Sequence, residues 1–136
     1  VIIPLSKDFK KSEFISKDGG SIPPEYMNNL RDLVLNLQII RDHINKPIEI
    51  VSGFRTKRHN RKIRGARKSQ HLTASAADFR VEELTVLELY EIIIDLMKDG
   101  QIKAGGVGLY PTFVHYDIRG WSARWRAKGK KDDNYI

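Results

Sequence analysis

The chain has 136 residues, 40% hydrophobic and 30% charged. That balance excludes a disordered segment, and the length fits one domain that buries roughly 65–70% of the surface its unfolded form exposes. Cysteine is absent, which excludes disulfides, thiolate metal sites and cysteine nucleophiles, and no apolar run approaches the ~18 residues of a membrane span. The formal net charge of +7 is local: residues 55–68, RTKRHNRKIRGARK, hold eight cations and no acid, and taking them from the total of 24 leaves 16 cations against 17 acids.

Taken in chain order, Ser12-Glu13-Phe14 suggests a short helical turn and Lys17-Asp18-Gly19-Gly20 a reversal. Pro23-Pro24-Glu25 suits a helix start, and Leu30, Leu33, Val34, Leu37, Ile40 and Ile44 then recur at spacings of three and four, predicting a helix over about 24–45 that Lys46-Pro47 ends. Ile48-Glu49-Ile50-Val51 alternates and is β-branched, so it reads as a strand closed by Ser52-Gly53, where the basic loop begins. Ala76–Val81 is a second strand. Thr85-Val86-Leu87-Glu88 is a capping-box pattern opening a helix through Leu87, Tyr90, Ile94 and Met97, stopped by Gly100. Gly106–Tyr110 and Phe113–Ile118 are two further strands around Pro111. This order predicts an α+β fold with a small, mostly antiparallel sheet packed against helices. The chain opens on Val1-Ile2-Ile3-Pro4 without a methionine, so a fragment or a processed form is expected.

Four histidines are present. His43 lies on the long helix with no evident partner, and His59 lies among cations that repel a metal ion. His71 and His115 differ. His71 precedes the small residues Thr73-Ala74-Ser75-Ala76-Ala77, which end at Asp78, a carboxylate in apolar company that needs a cation or several donors. His115 sits mid-strand between Val114 and Tyr116. Two imidazoles and one carboxylate suffice as the protein ligands of a catalytic zinc, but they come from separate elements and only the fold can bring them together.

Ser52-Gly53-Phe54-Arg55-Thr56, His59-Asn60, the stretch Ser69-Gln70-His71 through Asp78, Gly106–Tyr110 and Phe113-Val114-His115-Tyr116-Asp117 resemble the M15 family of zinc metallopeptidases, in its small single-domain branch. The resemblance covers about residues 9–126, with a basic tail over about 126–136. It implies a Hedgehog/D,D-peptidase-like fold, a single metallopeptidase domain over 1–136, and Zn2+ held by His71, Asp78 and His115. The implied activity is hydrolysis of peptide bonds in peptidoglycan stem peptides or crosslinks, by a carboxypeptidase or an endopeptidase, of bacterial or phage endolysin type. Location in the cell wall or periplasm, or on a phage, and a monomeric state are expected with it. Arg55 falls on the family's arginine, implied to stabilise an oxyanion or bind a substrate carboxylate; its alternative is plain membership of the basic loop. Ser69 contacts the site or shapes the turn. Tyr110, Trp121 and Trp125 are candidates for substrate contact or for packing.

Three departures from the family pattern stand out. Ala74 stands where the family motif usually has glycine, a small change unless that residue needs a positive φ, and Arg64 stands where a glycine is often found before Gly65, which adds charge to the loop. Thr112 stands where many relatives place an acid three residues before the second histidine. Asp117, on the same strand face as His115, is the substitute: a general base, a residue that orients His115, or a strand-end acid paired with Arg119 or Arg80. The basic loop suits anionic wall polymers as partners. Two rival functions follow. A non-catalytic wall-binding or virion structural module would keep the fold and lose turnover. A nucleic-acid binder would use residues 55–68 and the cations that follow Trp121, but it leaves His71, Asp78 and His115 unexplained.

Overall fold

A computed structural model describes residues 5–127 of the protein. Its elements are α1 (Met27–Ile44), β1 (Glu49–Ser52), α2 (Lys57–Lys62), β2 (Ala76–Arg80), α3 (Val86–Lys98), β3 (Gly106–Leu109), β4 (Val114–Asp117) and β5 (Ala123–Arg126), with short 3-10 turns at Lys11–Phe14, Pro24–Tyr26 and Gln70–Thr73. The fold is α+β. The five strands lie in the order β1-β2-β4-β3-β5, all neighbours antiparallel except the parallel pair β3–β5. Among the described residues no helix is long and apolar enough to cross a membrane.

The apolar stripe of α1 (Leu30, Leu33, Val34, Leu37 and Ile40) is buried as its spacing requires, and Ile44 packs at its edge. Asn45, in the left-handed conformation at φ 51°, ends the helix just before Lys46-Pro47. The helix over Val86–Lys98 carries both bonds of its capping box: Thr85 Oγ1 accepts from Glu88 N at 3.0 Å, and Glu88 Oε1 accepts from Thr85 N at 2.9 Å. Along β2 and β4 alternate residues point to opposite faces. Ala77, Phe79, Val114 and Tyr116 join Val107 and Leu109 in the core with the α1 and α3 stripes, which leaves Asp78, His115 and Asp117 to the other face.

Two expectations need correction. Residues 55–68 are not all loop: Lys57–Lys62 form α2, whose N-terminus is capped by Thr56 Oγ1 accepting from His59 N at 3.1 Å. The basic stretch after Trp121 contains strand β5, an edge strand with Trp125 turned inward between the exposed Arg124 and Arg126. The expected basic tail lies outside the described residues from position 128 onward.

Candidate metal centre

One transverse row of the sheet builds the site. Ser52, Asp78, His115, Gly108 and Trp125 are successive register partners across β1, β2, β4, β3 and β5. In an antiparallel pair directly opposed side chains share a face at close range, so the pairing of Asp78 with His115 is a consequence of register. His71 arrives from the 3-10 turn ahead of β2. Ser69 caps that turn, its Oγ accepting from His71 N at 3.1 Å. Of the two duties the sequence leaves open for Ser69, it performs the turn-shaping one, and it also lines the cavity over the site.

The three side chains meet. His71, Asp78 and His115 are all buried, and each offers a ligand atom within 4.8 Å of the others'. Asp78 Oδ1 lies 3.2 Å from His71 Nε2 and 3.0 Å from His115 Nδ1, while its Oδ2 accepts from Arg55 Nη2 at 3.0 Å. Burial works against the charge on Asp78, but its close contacts with His115 and His71 outweigh it and hold the carboxyl below its usual range.

The outer ring nitrogens decide whether the set suits a cation. His71 Nδ1 lies 2.6 Å from the carbonyl oxygen of Gly53, which can only accept. Burial, chiefly, lowers the pKa of His71, so the neutral ring carries its single proton on Nδ1. Its Nε2 lone pair then confronts the Asp78 carboxylate, acceptor against acceptor, an arrangement that a cation between them reconciles. His115 Nε2 lies 2.7 Å from Asp117 Oδ2. Burial disfavours charge on this ring, but Asp117 and Asp78 outweigh it and raise its pKa; a cation bound at Nδ1 takes the place of the proton shared with Asp78. Pinning the outer nitrogen so that the inner one is free is how metal-ligating histidines are usually oriented. The donor set of two nitrogens and a carboxylate oxygen fits a divalent transition metal.

Asp117 is wholly buried, at 0% exposure. Its Oδ1 accepts from Gly106 N (2.9 Å), Arg119 N (3.1 Å) and Arg119 Nε (2.8 Å), and its Oδ2 accepts from Arg119 Nη2 (2.7 Å) and faces His115. Burial raises its pKa, but Arg119, His115 and the Gly106 amide reverse this and keep it ionised. Asp117 thus stands behind His115, on the far side of the ring from Asp78, and its partner is Arg119; Arg80 instead pairs with Glu49.

Arg55 is equally committed. Nε donates to Ser52 Oγ (3.2 Å), Nη1 to Asn60 Oδ1 (3.4 Å) and Nη2 to Asp78. The Ser52–Arg55 segment therefore serves the site twice, through the Gly53 carbonyl and the Arg55 guanidinium. The carbonyl has no side-chain signature, so no sequence motif marks it.

A cavity of about 510 Å³ opens over the three residues. Its cations are Arg55, Arg64, Lys68 and Arg119, and among its described lining residues Asp78 is the only carboxylate. Tyr110, Phe113 and Trp125 form one wall. Phe113 stacks on Tyr110 at 4.6 Å between ring centroids, and Trp125 Nε1 donates to Tyr110 Oη at 3.0 Å. The Trp125 ring lies 5.0 Å from that of His115, with the Arg119 guanidinium 5.3 Å over it. Gly106 and Gly108 make room for this stack: a Cβ on Gly108 would lie 2.4 Å from Trp125 Nε1, and one on Gly106 would lie 2.4 Å from Asp117 Oδ2. The Gly-Val-Gly alternation was the available signal that something bulky covers that face. Trp121 is 63% exposed and is not among the lining residues; Trp125 holds the wall instead. His43 and His59 lie away from the cavity, and Thr112 is exposed on the turn between β3 and β4. Ala74 and Arg64 both adopt φ 58°.

The sequence model of Peptidase M15 matches residues 7–117. Over 79 residues the chain is 33% identical to the peptidoglycan L,D-endopeptidase MepK of Escherichia coli (strain K12), a match covering 53% of this chain and 40% of that protein, and it matches the protein of the same name from Shigella flexneri to the same extent. The chain thus matches two fifths of the length of these relatives. With the family match running from ahead of the first 3-10 turn to the end of β4, and His71, Asp78 and His115 converging inside it, the chain belongs to the Peptidase M15 family.

Proposed function

We propose that the chain is a zinc-dependent peptidase that hydrolyses peptide bonds in peptidoglycan stem peptides or crosslinks. The observation that carries this reading is the confrontation of His71 Nε2 and His115 Nδ1 with Asp78 Oδ1, the outer nitrogens being pinned by Gly53 and Asp117, beneath an open cavity. The peptidoglycan L,D-endopeptidase relatives supply the substrate class.

His71, Asp78 and His115 would hold the ion, and zinc bound there supplies Lewis acidity that makes water a nucleophile near neutral pH and polarises a carbonyl. Gly53 and Asp117 keep the two imidazoles in the tautomers that ligation needs. Arg55 positions Asp78, and its charge, with that of Arg119, favours negative charge developing on a carbonyl oxygen in the cavity. The Tyr110 hydroxyl, already accepting from Trp125, keeps its own proton to donate to a substrate acceptor. The contacts of Asp117 favour the orienting duty over proton transfer, since both its oxygens are saturated behind the ring.

Purified wall peptides incubated with the protein should yield new amino groups; a chelator should abolish the release and added zinc restore it. Release that a chelator leaves intact would contradict the reading. The lack of a free carboxylate among the described lining residues, with Thr112 turned to solvent, favours as second reading a non-catalytic wall-binding module. It would bind zinc and wall peptides stoichiometrically with no release of amino groups.

A further inference from the structure

A second cavity, of about 490 Å³, is lined by Lys57 and Arg61 of α2 and by Arg64 and Arg67 of the loop after it, with Leu72 contributing apolar surface. Among the described residues no carboxylate lines it. Elsewhere on the surface several cations are matched, as in Lys7–Asp42, Lys46–Glu83, Arg80–Glu49 and Lys103–Asp32. Among the described residues, none of the Lys and Arg side chains from Lys57 to Lys68 has an acidic partner within ion-pair distance. Like charges gathered around a concavity repel one another, and an anion lodged there relieves that repulsion.

Arg64 and Gly65 line both this cavity and the one over His71, Asp78 and His115, so the two share a wall. At that junction the backbone of Arg64 holds φ 58°, a left-handed conformation that is costly for a non-glycine residue. The shared wall suits one extended molecule that occupies both spaces. Among the described residues no aromatic side chain lines the second cavity, so they offer there none of the stacking surface on which single-stranded nucleic acid relies. Guanidinium forks at Arg61, Arg64 and Arg67 match a carboxylate, which they grip through two parallel hydrogen bonds.

We propose that this cavity is a second subsite of the substrate groove, binding a carboxylate of the substrate peptide remote from the bond that is cut. The proposal rests on the peptidase reading for the identity of the ligand but is tested by binding as well as by turnover. The probes are two synthetic wall-type peptides that differ in one non-terminal carboxylate, free in the first and amidated in the second. Affinity is measured by fluorescence anisotropy, with KM and kcat measured where turnover occurs.

The free-carboxylate peptide should bind more tightly to the unaltered protein, and about 0.5 M salt should remove the difference. Arg61→Gln with Arg67→Gln, both at exposed positions, should weaken the free-carboxylate peptide about tenfold, the worth of one charge-assisted hydrogen bond. The amidated peptide should be unaffected, and the change should fall on KM rather than kcat. Arg64→Gly should weaken the same peptide while raising Tm, a combination that a merely structural role for Arg64 does not give. Equal weakening of both peptides, or of neither, would overturn the proposal. So would a single-stranded oligonucleotide that binds more tightly than the peptide and depends on the same two arginines. If the protein cuts neither peptide yet still distinguishes them through Arg61 and Arg67, the subsite stands and the peptidase reading falls.

Discussion

Asp117 Oδ2 lies 2.7 Å from His115 Nε2, on the opposite side of the imidazole from Asp78 Oδ1, which is 3.0 Å from Nδ1. The ring is thus held between two carboxylates, only one of which faces the cavity. Asp117→Asn should lower metal affinity about 10–100-fold, as loss of an orienting partner does, and lower Tm because Arg119 loses its buried anion. Saturating zinc should restore most of the turnover. Lost turnover with undiminished metal affinity, measured by competition with a chromogenic chelator, would assign proton transfer to Asp117 instead.

Gly108→Ala tests the aromatic wall. The added Cβ would lie 2.4 Å from Trp125 Nε1 and 2.5 Å from its Cε2, so the indole must leave its place beside His115. The expected outcome is a shift in tryptophan emission together with weaker metal binding, read by fluorescence and calorimetry. An unchanged spectrum would show that Trp125 does not occupy that position.

Ala74→Gly should stabilise the protein. Ala74 is buried at φ 58°, where glycine escapes a steric cost of roughly 1 kcal/mol that its greater freedom in the unfolded chain partly offsets. A rise in Tm of about 2–4 °C is expected, with metal stoichiometry unchanged.

Asp18 ties the start of the basic helix to the N-terminal segment. Its Oδ2 accepts from Thr56 Oγ1 at 2.6 Å, and Thr56 in turn caps α2. The hydrogen bond from Thr56, followed by those from Ser16 and Gly20, lowers the Asp18 pKa to about 2. A depressed carboxylate contributes stability that is complete above its unfolded pKa of about 4 and is lost as pH falls through the folded value. Asp18→Asn should therefore flatten the acid limb of a stability-versus-pH curve between about pH 4 and pH 2. A mutant curve parallel to the wild-type one throughout that window would contradict it.

Much of this was legible in the sequence because local and tertiary signals agree. The stripe from Leu30 to Ile44, the Thr85–Glu88 box and the alternation around Asp78 and His115 each encode the element that forms. Lys57–Lys62 escaped because its residues have no apolar period; its helix depends on the Thr56 cap and on Asn60, whose Nδ2 donates to Ala66 O at 2.9 Å. Strand β5 escaped because its arginines read as charge rather than as the solvent side of an edge strand. The ligand set could be named from motifs, but its convergence rests on the register that opposes Asp78 to His115, and register is a property of the assembled sheet. The pinning of His71 rests on a backbone carbonyl, which no side-chain pattern reveals.

The central claim is that His71, Asp78 and His115 together hold one divalent ion. The most direct measurement is metal content by mass spectrometry after zinc loading and desalting, on the unaltered protein and on His71→Ala, Asp78→Ala and His115→Ala, each checked for folding by circular dichroism. One zinc per folded chain, lost in all three variants, is the expected result. Stoichiometric zinc retained in any one of the folded variants, or no zinc in the unaltered protein, would contradict it.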